Sequence, residues 1–270
     1  MLLVRRHEYD TGGYQTVITH QKHGMKWLEF SLIILKGSER SVSESTFDHE
    51  VALIVLEGVV DVSVGGQKWS NLGGRPNVFA GLPTAIYVPR DSEYVVSAKT
   101  IAAEIAVCQA ESGRRFEPFV VLPDQIRVKR RGQKHWRRDV RDILVAGFDE
   151  RVDRLVIGET INWPGEWSGY PPHKHDEDSL NETTFEEIYH YRVNPKDGFG
   201  VQLHYQSKGD QEDTAYIVRD GDTFAIPDGY HPLAAAGGYR VYYLWCMAGP
   251  SGRSLKPFED PRHRWVHGSE

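Results

Sequence analysis

The stretch Pro164-Gly165-Glu166-Trp167-Ser168-Gly169-Tyr170-Pro171-Pro172-His173-Lys174-His175 decides how this chain is read. In extended backbone, alternate side chains share a face, so His173 and His175 point one way and Lys174 the other. Two imidazoles so placed can both ligate a divalent metal. Pro171-Pro172 stiffens the approach to them. Beyond a polar insertion, Phe185-Glu186-Glu187-Ile188-Tyr189-His190-Tyr191 reads as a second strand that can bring one carboxylate beside the pair. Gly221-Asp222-Thr223-Phe224-Ala225-Ile226-Pro227-Asp228-Gly229-Tyr230-His231 then supplies a third imidazole after a tight turn. Three neutral nitrogens and one carboxylate suit Zn, Mn, Fe, Co or Ni, and do not suit Ca or Mg. One divalent transition metal per chain is the expectation.

Around this segment, short runs rich in Val, Ile, Tyr and Trp alternate with Gly, Pro and Asp. They fall at 27–35, 51–56, 59–64 and 85–88, and again at 155–161, 188–193, 200–205 and 239–247. Many short strands at such spacing, with no sustained helical period, predict an all-β sandwich or barrel. A weak internal repeat divides them. Glu50 and Tyr94 are 44 positions apart, as are Glu187 and His231. Two similar β units fit the 270-residue length: residues 1–115, a connecting segment 116–150, and residues 151–270. The first unit has no His-x-His, and Tyr94 stands where His231 stands in the second, so the metal site is expected only in the C-terminal unit.

A formal charge of −6 argues against a nucleic-acid partner, and the basic run Lys129-Arg130-Arg131-Gly132-Gln133-Lys134-His135-Trp136-Arg137-Arg138 reads as a solvated face. No apolar run is long enough for a membrane span. The opening Met1-Leu2-Leu3-Val4-Arg5-Arg6-His7 reaches charge too soon for a secretory signal, so the cytoplasm is expected. Cys108 and Cys246 each lie in an apolar run and read as buried thiols.

The His-x-His, the strand glutamate and the Pro-x-Gly-x-His turn, in this order, resemble the two motifs of the cupin superfamily, small β-barrels that hold a metal. The resemblance favours Glu187 over Glu186 as the carboxylate ligand, because Ile188-Tyr189-His190-Tyr191 matches the strand after it; Glu186 is then expected to face solvent. Tyr170-Pro171-Pro172-His173-Lys174-His175-Asp176, Gly229-Tyr230-His231-Pro232, Tyr242-Tyr243-Leu244 and Met247-Ala248-Gly249-Pro250 narrow the likeness to the 5-deoxy-glucuronate isomerase family of bacterial inositol catabolism. It extends over nearly the whole chain. Two departures are Trp245, where the resemblance leads one to expect Asn, and the charged run Arg137-Arg138-Asp139-Val140-Arg141-Asp142 in the connecting segment.

The resemblance implies a bicupin, and a metal-dependent isomerase that interconverts 5-deoxy-glucuronate and 2-deoxy-5-keto-gluconate. Alternatives are a 4-deoxy-5-keto-uronate isomerase of pectin breakdown, a metal-dependent cupin dioxygenase and a non-catalytic sugar-binding cupin. His173, His175, Glu187 and His231 are the expected ligands. Lys174, Tyr230 and His204 are candidates for the acid/base. Tyr170, Arg192, Gln202, Tyr243 and Arg137 are candidates for binding a small anionic sugar acid, an arginine being suited to its carboxylate. A homodimer is expected by analogy.

Overall fold

The computed structural model describes residues 1–8, 11–206 and 213–268. Among them helix is confined to one four-residue α-turn and three 3-10 turns, and strands carry the fold. Every strand pairing is antiparallel. In the first barrel a six-stranded sheet runs Phe119–Val121, Thr84–Val88, His49–Glu57, Ala103–Glu111, Leu28–Leu35, Gly13–Ile18. A four-stranded sheet, Ser41–Ser45, Glu93–Ala98, Val59–Val64, Gln67–Gly73, accompanies it. In the second barrel a seven-stranded sheet runs Leu3–Val4, Thr223–Ile226, Glu186–Asn194, Arg240–Ala248, Val156–Asn162, Arg138–Leu144, Arg127–Arg131. Its four-stranded companion is Trp167–Ser168, Leu233–Ala235, Gly200–His204, Thr214–Val218.

The expected connecting segment 116–150 is therefore not a separate linker. Its first strand extends the sheet of barrel one, and its two later strands form a hairpin on the sheet of barrel two. The N-terminal Leu3–Val4 also leaves residues 1–115, pairing with Thr223 and Phe224. Polar edge positions drive the hairpin assignment: Lys129 pairs with Asp142, and Arg130 projects into solvent beside Asp139.

Alternation along each long strand sorts the core into layers. Val51, Leu53 and Val55 pack with Val60, Val62, Val64 and Val96 inside barrel one. Tyr189, Tyr191 and Val193 pack with Val241 and Tyr243 inside barrel two. The intervening residues Ala52, Ile54, Leu56, Ile157, Ile188 and Leu244 meet in one layer shared by both barrels. Each such Ile or Leu buried fully contributes about 1.5–3 kcal/mol, so this common layer makes the barrels one cooperative body. Cys108 and Cys246 touch across it, Sγ to Sγ at 2.8 Å, as free buried thiols.

Buried carboxylates clamp the layer. Glu50 accepts the Tyr87 hydroxyl and the N–H groups of Asp153, Arg154 and Leu155 at 2.7–2.9 Å. Glu186 does the reciprocal work, accepting the N–H groups of Lys26 (2.6 Å) and Trp27 (2.9 Å). The expected solvent-facing Glu186 is thus corrected: its side chain is buried against the N-terminal half. The repeat is also offset by one, since Glu50 corresponds to Glu186 and the partner of Glu187 is Val51. Val51 pairs with Val88 where Glu187 pairs with Ile226.

Glu159 accepts Arg75 across the layer (2.9 and 3.0 Å), together with Arg141 and the Tyr242 hydroxyl. Glu104 is held by Arg6 (2.6 Å) and Arg192. Burial alone would raise the Glu104 carboxyl, but Arg192 and Arg6 outweigh it and hold it down at about 2. A depressed folded-state pKa stabilises above the unfolded value, near 4.5, and the contribution is lost as pH falls from there through about 2. Glu104→Gln should therefore lower stability near neutrality and flatten its dependence on pH across that acid window. Urea midpoints measured at several pH values check this; an unchanged acid slope would count against the pairing.

Candidate metal centre

The rings of His173, His175 and His231 converge inside barrel two. Their centroids are 4.9 Å (His175–His231), 5.0 Å (His173–His231) and 6.1 Å (His173–His175) apart. One nitrogen from each lies within 4.8 Å of the others, and this is the one such histidine group among the described residues. His173 and Lys174 pair with Glu259 and Phe258 in a two-residue ladder, which fixes the start of the motif. The Glu186–Asn194 strand delivers Glu187, whose Oε2 lies 3.2 Å from Nε2 of both His175 and His231. His175 and His231 are buried, whereas His173 keeps an edge toward solvent.

Backbone carbonyls set the ring tautomers. His175 Nδ1 faces the Phe185 carbonyl at 2.9 Å, and His231 Nδ1 faces the Gly229 carbonyl at 2.8 Å. A carbonyl only accepts, so each Nδ1 carries the proton and each Nε2 turns a lone pair inward. His231 Nε2 is buried and makes no hydrogen bond. Two such lone pairs facing a carboxylate oxygen form a donor set that could hold a cation. Ligands about 2.1 Å from one ion, at angles between octahedral and tetrahedral, lie about 3.0–3.4 Å apart, and the 3.2 Å separations fit. Burial pushes the His173 imidazole down, toward its neutral form. The donor set fits a divalent transition metal.

The other sequence candidates are mostly turned to different work. Lys174 faces away: its ammonium is held by Asp176 and by Glu182 (2.9 Å). Burial opposes that charge, but the two carboxylates outweigh it and raise the pKa. Tyr230 stacks on Tyr205 (5.0 Å) rather than on the histidines. His204 Nε2 donates to the Asp228 carbonyl at 2.8 Å. Arg192 is taken up by Glu104 and Asp220 between the barrels, and Arg137 by Glu166 (2.6 Å) on the outer rim. Tyr170 packs with Trp136 and Trp167. Gln202 is fully buried, donating to the His231 carbonyl (2.8 Å) and accepting from Tyr191, so it positions the His231 loop. Tyr243 lies within the barrel, bonded to Ser168 and packed on Tyr189 (4.4 Å).

The sequence model of the KduI/IolB family matches residues 2–266. The chain belongs to that family. Among KduI/IolB relatives, the 5-deoxy-glucuronate isomerase of Geobacillus kaustophilus is 34% identical over 271 residues, covering 100% of this chain and 96% of that one. The protein of the same name from Bacillus subtilis strain 168 is 31% identical over 251 residues, 92% of this chain and 91% of the other. The crystal structure of an IolB-like protein from Salmonella typhimurium LT2 superposes with a TM-score of 0.90 at 30% identity, covering 99% of both chains. Oxalate decarboxylase from Lactobacillus farciminis, in a formate complex, shares the two-barrel cupin fold at a TM-score of 0.65 and 9% identity, covering 100% of this chain and 91% of that one.

Within this KduI/IolB fold the Trp245 departure has a structural counterpart. A Cβ at Gly158 would lie 2.2 Å from the Trp245 ring, so the missing side chain makes room for the indole, whose Nε1 donates to Thr160 (3.1 Å). Asn162 and Arg138, absent from the sequence candidates, also face this interior. Their signal was parity on neighbouring strands, which becomes readable only once the strand register is fixed.

Proposed function

We propose that this chain is an isomerase that interconverts 5-deoxy-glucuronate and 2-deoxy-5-keto-gluconate, with His173, His175, Glu187 and His231 holding one divalent transition metal ion. The supporting observation is the convergence of inward-facing Nε2 atoms on Glu187, in a chain similar over its full length to proteins named for that activity. Substrate and product are isomers. One hydrogen moves from C2 to C1 and one proton from the C2 hydroxyl to the C1 oxygen, so no external oxidant or reductant is needed. A bound ion would supply Lewis-acid polarisation of the substrate carbonyl. The chain's own residues do the positioning: Phe185 and Gly229 carbonyls orient two imidazoles, Gln202 anchors the His231 loop, and Tyr189, Tyr191 and Tyr243 wall off water.

Purified protein loaded separately with Zn, Mn, Fe, Co or Ni and incubated with 5-deoxy-glucuronate under argon should form the ketose, followed by NMR. A chelator should abolish the conversion and re-addition of metal restore it. Turnover of 4-deoxy-5-keto-uronate alone would overturn the substrate, and a requirement for oxygen would favour a dioxygenase. The reading carries with it a cytoplasmic enzyme of a small anionic substrate, assembled as a homodimer. No helix among the described residues is long and apolar enough to cross a membrane.

A further inference from the structure

Arg138 and Asn162 stand opposite one another on neighbouring strands of barrel two, and Asn162 stands opposite Val241. The next inward row is Val140, Thr160, Tyr243. Val241 and Tyr243 belong to the apolar interior of the barrel, whereas Ile161 and Tyr242, one position along, belong to the layer shared with barrel one. Arg138 and Asn162 therefore point inward, to the side that holds the histidines.

Neither residue is satisfied there. Arg138 donates to the Trp136 carbonyl (3.1 Å) and, among the described residues, pairs with no carboxylate. Asn162 is wholly buried, and neither its amide oxygen nor its amide nitrogen has a hydrogen-bond partner. Buried amides are nearly always paired, so this one is aimed at something that binds. Arg138 lies within electrostatic reach of both His173 and Tyr243. Arg137 and Arg192, by contrast, are already neutralised by Glu166, Glu104 and Asp220. A chain of formal charge −6 repels anions as a whole, so an acid substrate needs a local cation inside the barrel.

We propose that Arg138 binds the carboxylate of the sugar acid and that the Asn162 amide bonds a hydroxyl of its carbon chain, which makes this pair the determinant of preference for an acid over a neutral aldose. The proposal rests on the isomerase reading above. The guanidinium fork matches a carboxylate through two parallel N–H donors, and Asn162 can both donate to and accept from a hydroxyl.

The test compares 5-deoxy-glucuronate with the neutral 5-deoxy-aldohexose that carries CH2OH in place of the carboxylate. Arg138→Gln should raise KM for the acid about 10- to 100-fold, leave kcat within about fivefold and leave KM for the neutral sugar unchanged. Asn162→Ala should raise KM for both sugars about tenfold. Arg130→Gln removes an equal charge from the solvent side of the same hairpin and should stay within about twofold. Should Arg138→Gln fail to fold, Arg138→Lys keeps the charge without the fork and should raise KM for the acid about five- to tenfold. Wild-type turnover of 5-deoxy-glucuronate with KM unmoved in the folded Arg138 variant would overturn this inference alone. Equal losses toward acid and neutral sugar would overturn it as well. No wild-type turnover of the acid would overturn the isomerase reading and this inference together.

Discussion

His231→Ala should leave a folded chain whose turnover falls by about a thousandfold or more and whose metal content drops from one ion per chain to near none. His231 is buried, its Nδ1 is committed to the Gly229 carbonyl, and its Nε2 has no other partner than the neighbourhood of Glu187. The loop that carries it is unusually fixed. Gly229 sits at φ 78°, in the left-handed region, where a Cβ would come within 2.9 Å of the Tyr205 carbonyl. Asp176 accepts the Gly229 N–H at 2.7 Å, and Gln202 donates to the His231 carbonyl. Removal of the imidazole alone leaves that scaffold standing, so inductively coupled plasma mass spectrometry and thermal unfolding together separate loss of metal from loss of fold. Metal content held at one ion per chain in His231→Ala would sink the ligand assignment. Gln202→Ala should give a smaller loss, about 10- to 100-fold in metal affinity, because it loosens a ligand without deleting it.

Glu50→Ala is expected to destabilise the whole protein by about 3–5 kcal/mol. The fully buried carboxylate accepts three backbone N–H groups of the chain entering barrel two and the hydroxyl of Tyr87 in barrel one. Alanine strands all four donors in a place water reaches poorly. Because the layer between the barrels is shared, both barrels should unfold in one transition at lower urea. A loss under about 1 kcal/mol would show that the clamp does not set the stability of the junction. Glu50→Gln, which keeps an acceptor but not the charge, should fall between.

The strand pattern was readable from the sequence because strands buried on both faces read as short apolar runs bounded by turn residues, as 28–35, 51–56 and 188–193 do. The histidine pair and the Pro-x-Gly-x-His turn were readable because ligands must cluster near turns and strand ends. What failed was parity. The 44-residue spacings align Glu50 with Glu187, yet loops of unequal length hide a one-residue slip, and in a strand one residue means the opposite face. The same blindness favoured Arg137 over Arg138, two neighbours with identical chemistry and opposite directions. Lys174 shows another limit: the carboxylates that claim it, Asp176 and Glu182, lie in the polar insertion, whose path no periodicity foretells.

The pairing of Leu3–Val4 with Thr223 and Phe224 bears on how the protein is made. Leu3–Val4 leaves the ribosome roughly two hundred residues before the strand of barrel two with which it pairs. Barrel one can collapse meanwhile, but the sheet bearing Glu187 keeps a bare edge until Leu3–Val4 covers it. Assembly of the barrel that carries the three histidines is in this way deferred until residues 223–226 have been made.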